Sequence, residues 1–459
     1  MTSDTERSCY WLARRPVSAT MPLLGTERAD VAIVGAGLTG LWTAFFLKQL
    51  EPSLGVTIVE REVAAHGASG RNAGILSETI DHSHGLAIQH FGEAEARRLA
   101  ALGEENVREL AGFLTDRGID CDYEPTGRLM VALTDAHLQE ARRTVETAQR
   151  LGLETYDLLG AEEIRAQLDS PLYLGGVSVK GGAILDPVKL VDGLRREAER
   201  LGVRVFEQSP VSTVHRAGAG VRLDTPSGSI MAERAVLATS AYTHLLLPAV
   251  LHRFIPLYDY VLVSEPLTAD QRAVIGWQGR QSVTDGRSFF NYYRLTPDDR
   301  ILWGTSEAAY YAGNRVNAAC DHSEGHYAAL RASFRRHFPA LERLEFPYAW
   351  GGAICATTRL TPFFGKALGD RVAYGLGYTG HGLGTTRLAG RILAHLALDR
   401  PSELLELALV RSHPFPYPPE PLRRWAVSTV TAALRRVDGG ASPGLLLRLL
   451  DRWGLGFSS

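Results

Sequence analysis

The chain is short of lysine. Among 459 residues only Lys48, Lys180, Lys189 and Lys366 carry an ammonium group, so any role that needs one has few candidates. Cysteine is equally scarce: Cys9, Cys121, Cys320 and Cys355 stand far apart, with no CxxC pair. That spacing argues against a disulfide framework and against a thiolate metal centre. No uninterrupted apolar stretch reaches the roughly 18 residues of a membrane-spanning helix. Neither sign of charge dominates: 49 basic residues face 51 acidic ones, a net charge of −2. Such a chain offers nucleic acid no basic field. The first residues, Met1 to Arg7, are polar and acidic, unlike a secretory signal. These absences together predict a cytoplasmic protein with neither a membrane nor a nucleic-acid partner. The pair His82 and His84 within Asp81-His82-Ser83-His84 lacks a partner cluster and reads as a polar loop, so no metal is assigned.

What is present is an ordinary globular balance, 45% hydrophobic and 22% charged. The length exceeds what one core comfortably holds, and predicts two interleaved domains. Asp30 to Val34 is a short apolar run that ends in glycine, and reads as a buried strand. Leu41 to Leu50 reads as a helix closed by Pro52, and Val56 to Glu60 as a second β-branched strand, which makes one βαβ unit. Further helices are predicted over 91–118, 135–152, Pro187 to Leu201, 322–337 and Thr385 to Leu398. Arg128 to Leu133 reads as a strand, and the glycine-punctuated stretch 175–187 as a hairpin. Short strands follow over Val203–Glu207, Val211–His215, Val221–Thr225 and Ala235–Ala238, an order that returns the chain to the first sheet. Residues 1–28 read as an arm, and amphipathic stretches at 421–435 and 444–452 as docked helices.

The chemistry begins in the loop Gly35-Ala36-Gly37-Leu38-Thr39-Gly40. Gly35 permits the tight turn after the strand. Gly37 lets backbone approach a diphosphate, and Gly40 lets the helix pack close to the sheet. The diphosphate then meets free N–H groups at a helix N-terminus. Glu60, 20 residues beyond Gly40, stands where a carboxylate would hold a ribose hydroxyl pair, with Arg61 beside it. The loop alone does not separate FAD from NAD. The next segment, His66 through Ala68, Ser69, Gly70, Arg71, Asn72 and Ala73 to Gly74, adds a hydroxyl, a guanidinium and an amide suited to a diphosphate or a flavin edge.

With these pieces in view, the chain resembles the D-amino-acid-oxidase superfamily of FAD-dependent oxidoreductases, in the branch of gamma-glutamylputrescine oxidase-like and sarcosine oxidase-like enzymes. The matching segments are Asp30–Gly37, Gly67–Asn72, Ala238–Tyr242, Trp350–Gly352 and Gly375–Gly382. The resemblance implies an α/β, two-domain fold. A Rossmann-like FAD-binding domain is expected from 28–90, 176–250 and 350–400, and an interleaved antiparallel-sheet substrate domain from 91–175 and 251–349. Residues 401–459 would form a C-terminal helical extension. It further implies that Val211 contacts the adenine side, and that Ala238, Thr239 and Ser240 end a strand beneath the cofactor. Gly377, Tyr378, Gly380, His381 and Gly382 would close over the flavin pyrimidine edge. Arg71 and Asn72 would lie near the flavin ring.

Some relatives attach flavin through a His in the glycine-rich segment. Asn72 stands there in this chain, so non-covalent FAD is expected, with Cys355 as the alternative point of attachment. Many relatives carry Asp or Asn where this chain has Arg359, which reads either as an anion site facing the pocket or as an outward ion-pairing residue. The implied reaction takes hydride from the carbon next to an amine or amino acid nitrogen. The imine then hydrolyses, and O₂ reoxidises the flavin to give peroxide. A dehydrogenase that serves another acceptor stays open, because none of the lysines clearly matches the O₂-assisting Lys of several oxidases. Tyr258, Tyr260, Tyr292 and Arg294, with Trp350 and His381, are the candidates for substrate contact. Alternation along a strand would place Tyr258 with Tyr260, and Tyr292 with Arg294, on shared faces. An aromatic wall of this kind would hold a cationic amine.

Overall fold

The computed structural model describes residues 7–16, 22–80 and 82–452. The opening residues 1–6 and Asp81, on which two of the readings above touch, lie outside the described residues.

The βαβ unit forms as the apolar pattern predicts. Strand Gly25–Val34 ends in four fully buried residues, the mark of a parallel strand covered on both faces. The Leu38–Leu50 helix follows, and strand Val56–Val59 pairs parallel to the first. An eight-stranded sheet grows around this unit. Gly228–Leu237 lies parallel on one side of the first strand and Arg204–Phe206 extends the other edge. Val372–Leu376 joins parallel to Gly228–Leu237, with Phe363–Ala367 antiparallel at the far edge. The Gly382–Leu398 helix packs across the Leu38–Leu50 helix, so tightly that a β-carbon on Gly390 would meet Trp42 Cβ at 2.6 Å.

A nine-stranded sheet forms the second layer system. Its long strand Ile255–Pro266 pairs antiparallel with Arg300–Thr305 and with Tyr348–Ala356. Strands Asn291–Leu295, Ser282–Asp285, Arg128–Ala132, Gly175–Val179 and Tyr156–Gly160 continue it. Helices Glu93–Asp116, Asp135–Arg150, Pro187–Arg200 and Glu324–His337 stand where helical periodicity predicts them, though His84–Phe91 is a separate helix ahead of the first. Pro187–Arg200 begins sharply because the Asp186 carboxylate accepts hydrogen bonds from the Val188 and Lys189 amides and proline stands at the first helical position.

Two expectations change. The stretch 175–187 is not a hairpin. Gly175–Val179 pairs with Arg128–Ala132, while Ala183–Ile184 pairs with Ile75–Leu76 in a separate ribbon. Each half finds a longer-range partner that a local turn would have denied it. Residues 175–179 and 348–356 also belong to the second sheet, whereas the sequence division put most of them with the first. Beyond residue 400 the chain forms helix Leu422–Asp438 and the short helix Leu445–Arg452. The former is tied down where the Asp438 carboxylate accepts hydrogen bonds from the Ser288 and Phe289 amides at 2.7 and 2.9 Å.

Candidate active site

One cavity of about 690 Å³ runs from the glycine loop of the first sheet to the inner face of the second. At its first end, Gly35 takes a left-handed φ of 108° and turns the chain from strand into helix. A β-carbon on Gly37 would meet the Ser69 hydroxyl at 2.7 Å, so backbone and hydroxyl share one narrow approach. That hydroxyl accepts a hydrogen bond from the Leu38 amide at 2.9 Å, which ties the glycine loop to the following segment. The half-buried Glu60 carboxylate accepts hydrogen bonds from the Ala36 amide at 2.8 Å and the Glu62 amide at 3.0 Å. Burial raises its affinity for a proton against the pull of those amides. Arg61 lies 4.6 Å over the Tyr242 ring.

Leu38, Thr39, Ala68, Asn72, Ala73 and Val211 line the same end, as do Ala238, Thr239 and Ser240. Tyr378, Gly380, His381 and Gly382 close it from the far side of the sheet, and the Thr39 hydroxyl donates to Tyr378 Oη at 3.1 Å. Four non-glycine residues on this lining, Ala65, Ser240, Leu360 and Thr379, hold left-handed φ angles of 69°, 44°, 58° and 46°. Strained backbone of this kind persists where a site requires it. Gly40, Gly74 and Gly377 support the lining from behind. Gly40 packs on the Gly35 carbonyl, Gly74 offers its carbonyl to Arg294, and Gly377 abuts Thr357.

Arg71 is held on all sides. It donates to the His66 and Gly351 carbonyls at 2.7 and 3.2 Å and pairs with Asp321 at 2.8 Å. Asn72 donates to the Ala68 and Ser69 carbonyls and accepts from the Gly74 amide, so its side chain shapes the turn.

The substrate candidates divide. Tyr292 and His381 line the cavity. Tyr258 and Tyr260 do share a strand face, but the opposite one: Leu257, Asp259 and Val261 face the cavity instead. Tyr258 bonds the Asn317 backbone. Tyr260 stacks on His326 at 4.5 Å and donates to the Cys320 carbonyl at 2.9 Å. Arg294 is fully buried and donates to the Gly74 and Leu185 carbonyls, both at 2.7 Å; burial pushes its guanidinium down to about 10. Trp350 lies beneath the site, where its indole donates to the Arg71 carbonyl at 2.9 Å. Arg359 realises neither of its readings. It points away from the cavity and spans Ser412, Pro362 and Leu409, where burial pushes it down to about 10.

Sequence reasoning missed several lining residues. His82, read as part of a polar loop, stacks on His381 at 4.5 Å, and burial beside that ring pushes it well below the ordinary imidazole value. His84 is buried against Tyr156. Arg128 lines the cavity with its guanidinium held by Glu78 at 2.7 Å; against the cost of burial, that guanidinium brings the Glu78 carboxyl down to about 2. Asp259 and the helix residues Val427, Val430 and Leu434 complete the wall. The one sequence signal for Asp259 is the β-strand alternation around Tyr258 and Tyr260, which sets it on the face opposite the two tyrosines.

The four lysines stand clear of the cavity. Lys48 is buried and donates to the Leu54 carbonyl, while Lys180, Lys189 and Lys366 pair with Asp157, Asp122 and Asp399.

Residues 30–396 match the family model described as DAO, FAD dependent oxidoreductase. The chain belongs to this family. The gamma-glutamylputrescine oxidoreductase of Escherichia coli is 32% identical over 421 residues, 91% of this chain and 94% of that protein. A probable oxidoreductase OrdL of Rhizobium meliloti is 30% identical over 406 residues, 88% and 91% of the two chains. Among solved structures, L-proline dehydrogenase from P. horikoshii aligns with a TM-score of 0.68 at 17% identity, covering 83% of this chain and 96% of its own. Glycine oxidase from Geobacillus kaustophilus aligns at 0.66 with 22% identity, covering 84% and 99%. The chain is thus an FAD-dependent oxidoreductase of the amine and amino acid type. The cavity fits the dinucleotide: backbone approach at Gly37, a helix N-terminus at Leu38 and the Glu60 carboxylate are the groups a diphosphate and a ribose require.

Proposed function

We propose that this protein oxidises a C–N bond of a small amine or N-substituted amino acid. In this reading FAD, when bound, accepts the hydride from the carbon beside nitrogen; the imine hydrolyses to a carbonyl and an amine, and O₂ regenerates the flavin with release of H₂O₂. The observation that carries the reading is the single cavity that joins the cofactor cradle to the Tyr292 and Asp259 wall. Gly35 to Gly40, Glu60, Ser69, Arg71 and Asn72 would hold and orient the cofactor. The N-terminus of the Gly382–Leu398 helix, which opens onto the cavity through Gly382 and Leu383, would stabilise negative charge at the flavin pyrimidine edge. Phe289, Phe290 and the helix residues Val430 and Leu434 exclude water from the reacting end.

FAD is held without a covalent bond in this reading. Cys355 lines the cavity, but burial pushes its thiol well above the ordinary value and keeps it protonated. Acid precipitation that leaves the yellow colour in the supernatant supports this; colour retained on the pellet excludes it. A second reading, a dehydrogenase that passes electrons to a carrier protein, is favoured by the absence of any lysine from the cavity wall. An anaerobic screen over amines, N-methyl amino acids and aminophosphonates, read as loss of the oxidised flavin absorbance, tests the chemistry. Stoichiometric peroxide in air then separates oxidase from dehydrogenase. Flavin that no amine bleaches would refute both.

A further inference from the structure

Asp259 is an exception among the charged groups that face the substrate half of the cavity. Arg128 is neutralised by Glu78, and Arg71 by Asp321. Among the described residues Asp259 has no cationic partner. Its side chain lines the cavity, and its Oδ2 accepts a hydrogen bond from the Tyr292 hydroxyl at 2.6 Å. Its place in the sheet is central: Asp259 stands directly opposite Gly352, and a β-carbon there would meet Arg71 Cδ at 3.3 Å. The carboxylate thus sits beside the segment that would face the flavin ring. Leu257 and Val261 flank it on the same strand face, and Val430 and Leu434 line the cavity from the C-terminal helix. A half-buried carboxylate without a counter-ion, in a largely apolar wall, is costly unless a cation completes it. Burial accordingly pushes the Asp259 carboxyl up to about 7.

We propose that Asp259, positioned by Tyr292, is the site that receives the ammonium group of the substrate, and that the substrate is an aliphatic amine recognised by its nitrogen, not an α-amino acid held by its carboxylate. Among the described residues, the guanidinium groups of this wall, Arg71 and Arg128, are each already paired with a carboxylate. The ammonium ion pairs with the Asp259 carboxylate and yields one proton to it: one N–H bond breaks, one O–H bond forms, and a neutral amine faces a neutral carboxylic acid. The neutral amine has the lone pair that hydride loss from the adjacent carbon requires. This inference rests on the amine-oxidising reading above.

The test uses the flavin-loaded full chain under anaerobic conditions, with n-hexylamine and its neutral isostere 1-hexanol as probes and titration calorimetry as the readout. The wild type is expected to bind n-hexylamine at least 30-fold more tightly than 1-hexanol. Asp259→Asn should erase that preference and leave 1-hexanol binding within twofold. An unaltered preference in Asp259→Asn, or no preference in the wild type, overturns the proposal. Should the Asn variant fail to load flavin, Asp259→Glu reads the same point. It keeps the charge on a longer arm and should shift the preference from n-hexylamine toward n-butylamine, and an unshifted preference overturns the assignment. Flavin bleaching is scored separately. Asp259-dependent binding without bleaching refutes the oxidative reading alone, and bleaching that Asp259→Asn leaves unchanged refutes the anchor alone.

Discussion

The two ends of the cavity are built on different principles. At the cofactor end, contacts come from consecutive residues, Gly35 to Gly40 and Ala68 to Ala73, and much of the binding surface is backbone. At the substrate end, His82, Arg128, Asp259, Tyr292 and Val430 arrive from five separate elements and act through side chains. A backbone cradle tolerates almost no added atoms but places few demands on side-chain chemistry. A side-chain wall tolerates changes of size and is sensitive to changes of charge. The same fold can therefore keep one cofactor while its substrate varies.

Substitutions should break this contrast in order of effect. The largest is expected at Gly40, where a β-carbon would collide with the Gly35 carbonyl. Gly40→Val should abolish flavin retention, read as the ratio of 450 to 280 nm absorbance of the purified protein. Glu78→Gln comes next. It strands the Arg128 guanidinium in a site where it is only 13% exposed, and should cost about 3–5 kcal/mol of stability in denaturant unfolding. A protein that loses less than about 1 kcal/mol would show that water, not Glu78, satisfies Arg128.

Asp259 gives an effect that depends on pH. Its folded value of about 7 lies above its ordinary 3.8, so ionisation opposes the fold. The stability contribution is intact below about 4 and is lost as pH rises through 7. The groups that share its surroundings are the Tyr292 hydroxyl, the paired Arg71 and Arg128, Cys355, and the His82–His381 stack. In flavin-loaded protein without amine, Asp259→Asn should therefore stabilise by roughly 2–4 kcal/mol at pH 8 and by nearly nothing at pH 4. Equal melting shifts at both pH values would contradict this.

The smallest effects sharpen the comparison by marking what lies outside the wall. Arg359→Ala should lower stability by about 1–3 kcal/mol, because it removes hydrogen bonds to Ser412, Pro362 and Leu409, and should leave the KM for any acidic substrate unchanged. Tyr260→Phe should leave amine KM within about twofold, whereas Tyr292→Phe, which removes the donor to Asp259, should raise it several-fold.

What was legible follows the same division. The glycine loop, Glu60 and the Ser69–Asn72 segment are local patterns, and the strand–helix–strand order around them is fixed by apolar periodicity over a few residues. The facing of Tyr258 and Tyr260 was not legible, because a strand with apolar or aromatic side chains on both faces gives period-two alternation no preferred side. Ile255–Pro266 is such a strand: it packs Tyr258 and Tyr260 into one core and turns Asp259 toward the cavity. His82 was hidden for another reason. Its partner His381 lies 4.5 Å away in space but about two thirds of the chain away in sequence.

By itself, then, the sequence determined the dinucleotide cradle and the family, because backbone conformation at glycine and helix N-termini is encoded within a few residues. Only the tertiary structure decided which carboxylate faces the substrate, which arginines are already neutralised, and that the C-terminal helix closes the wall. Those outcomes depend on which long-range pairs exclude water from one another, and nothing in a local segment specifies its distant partner.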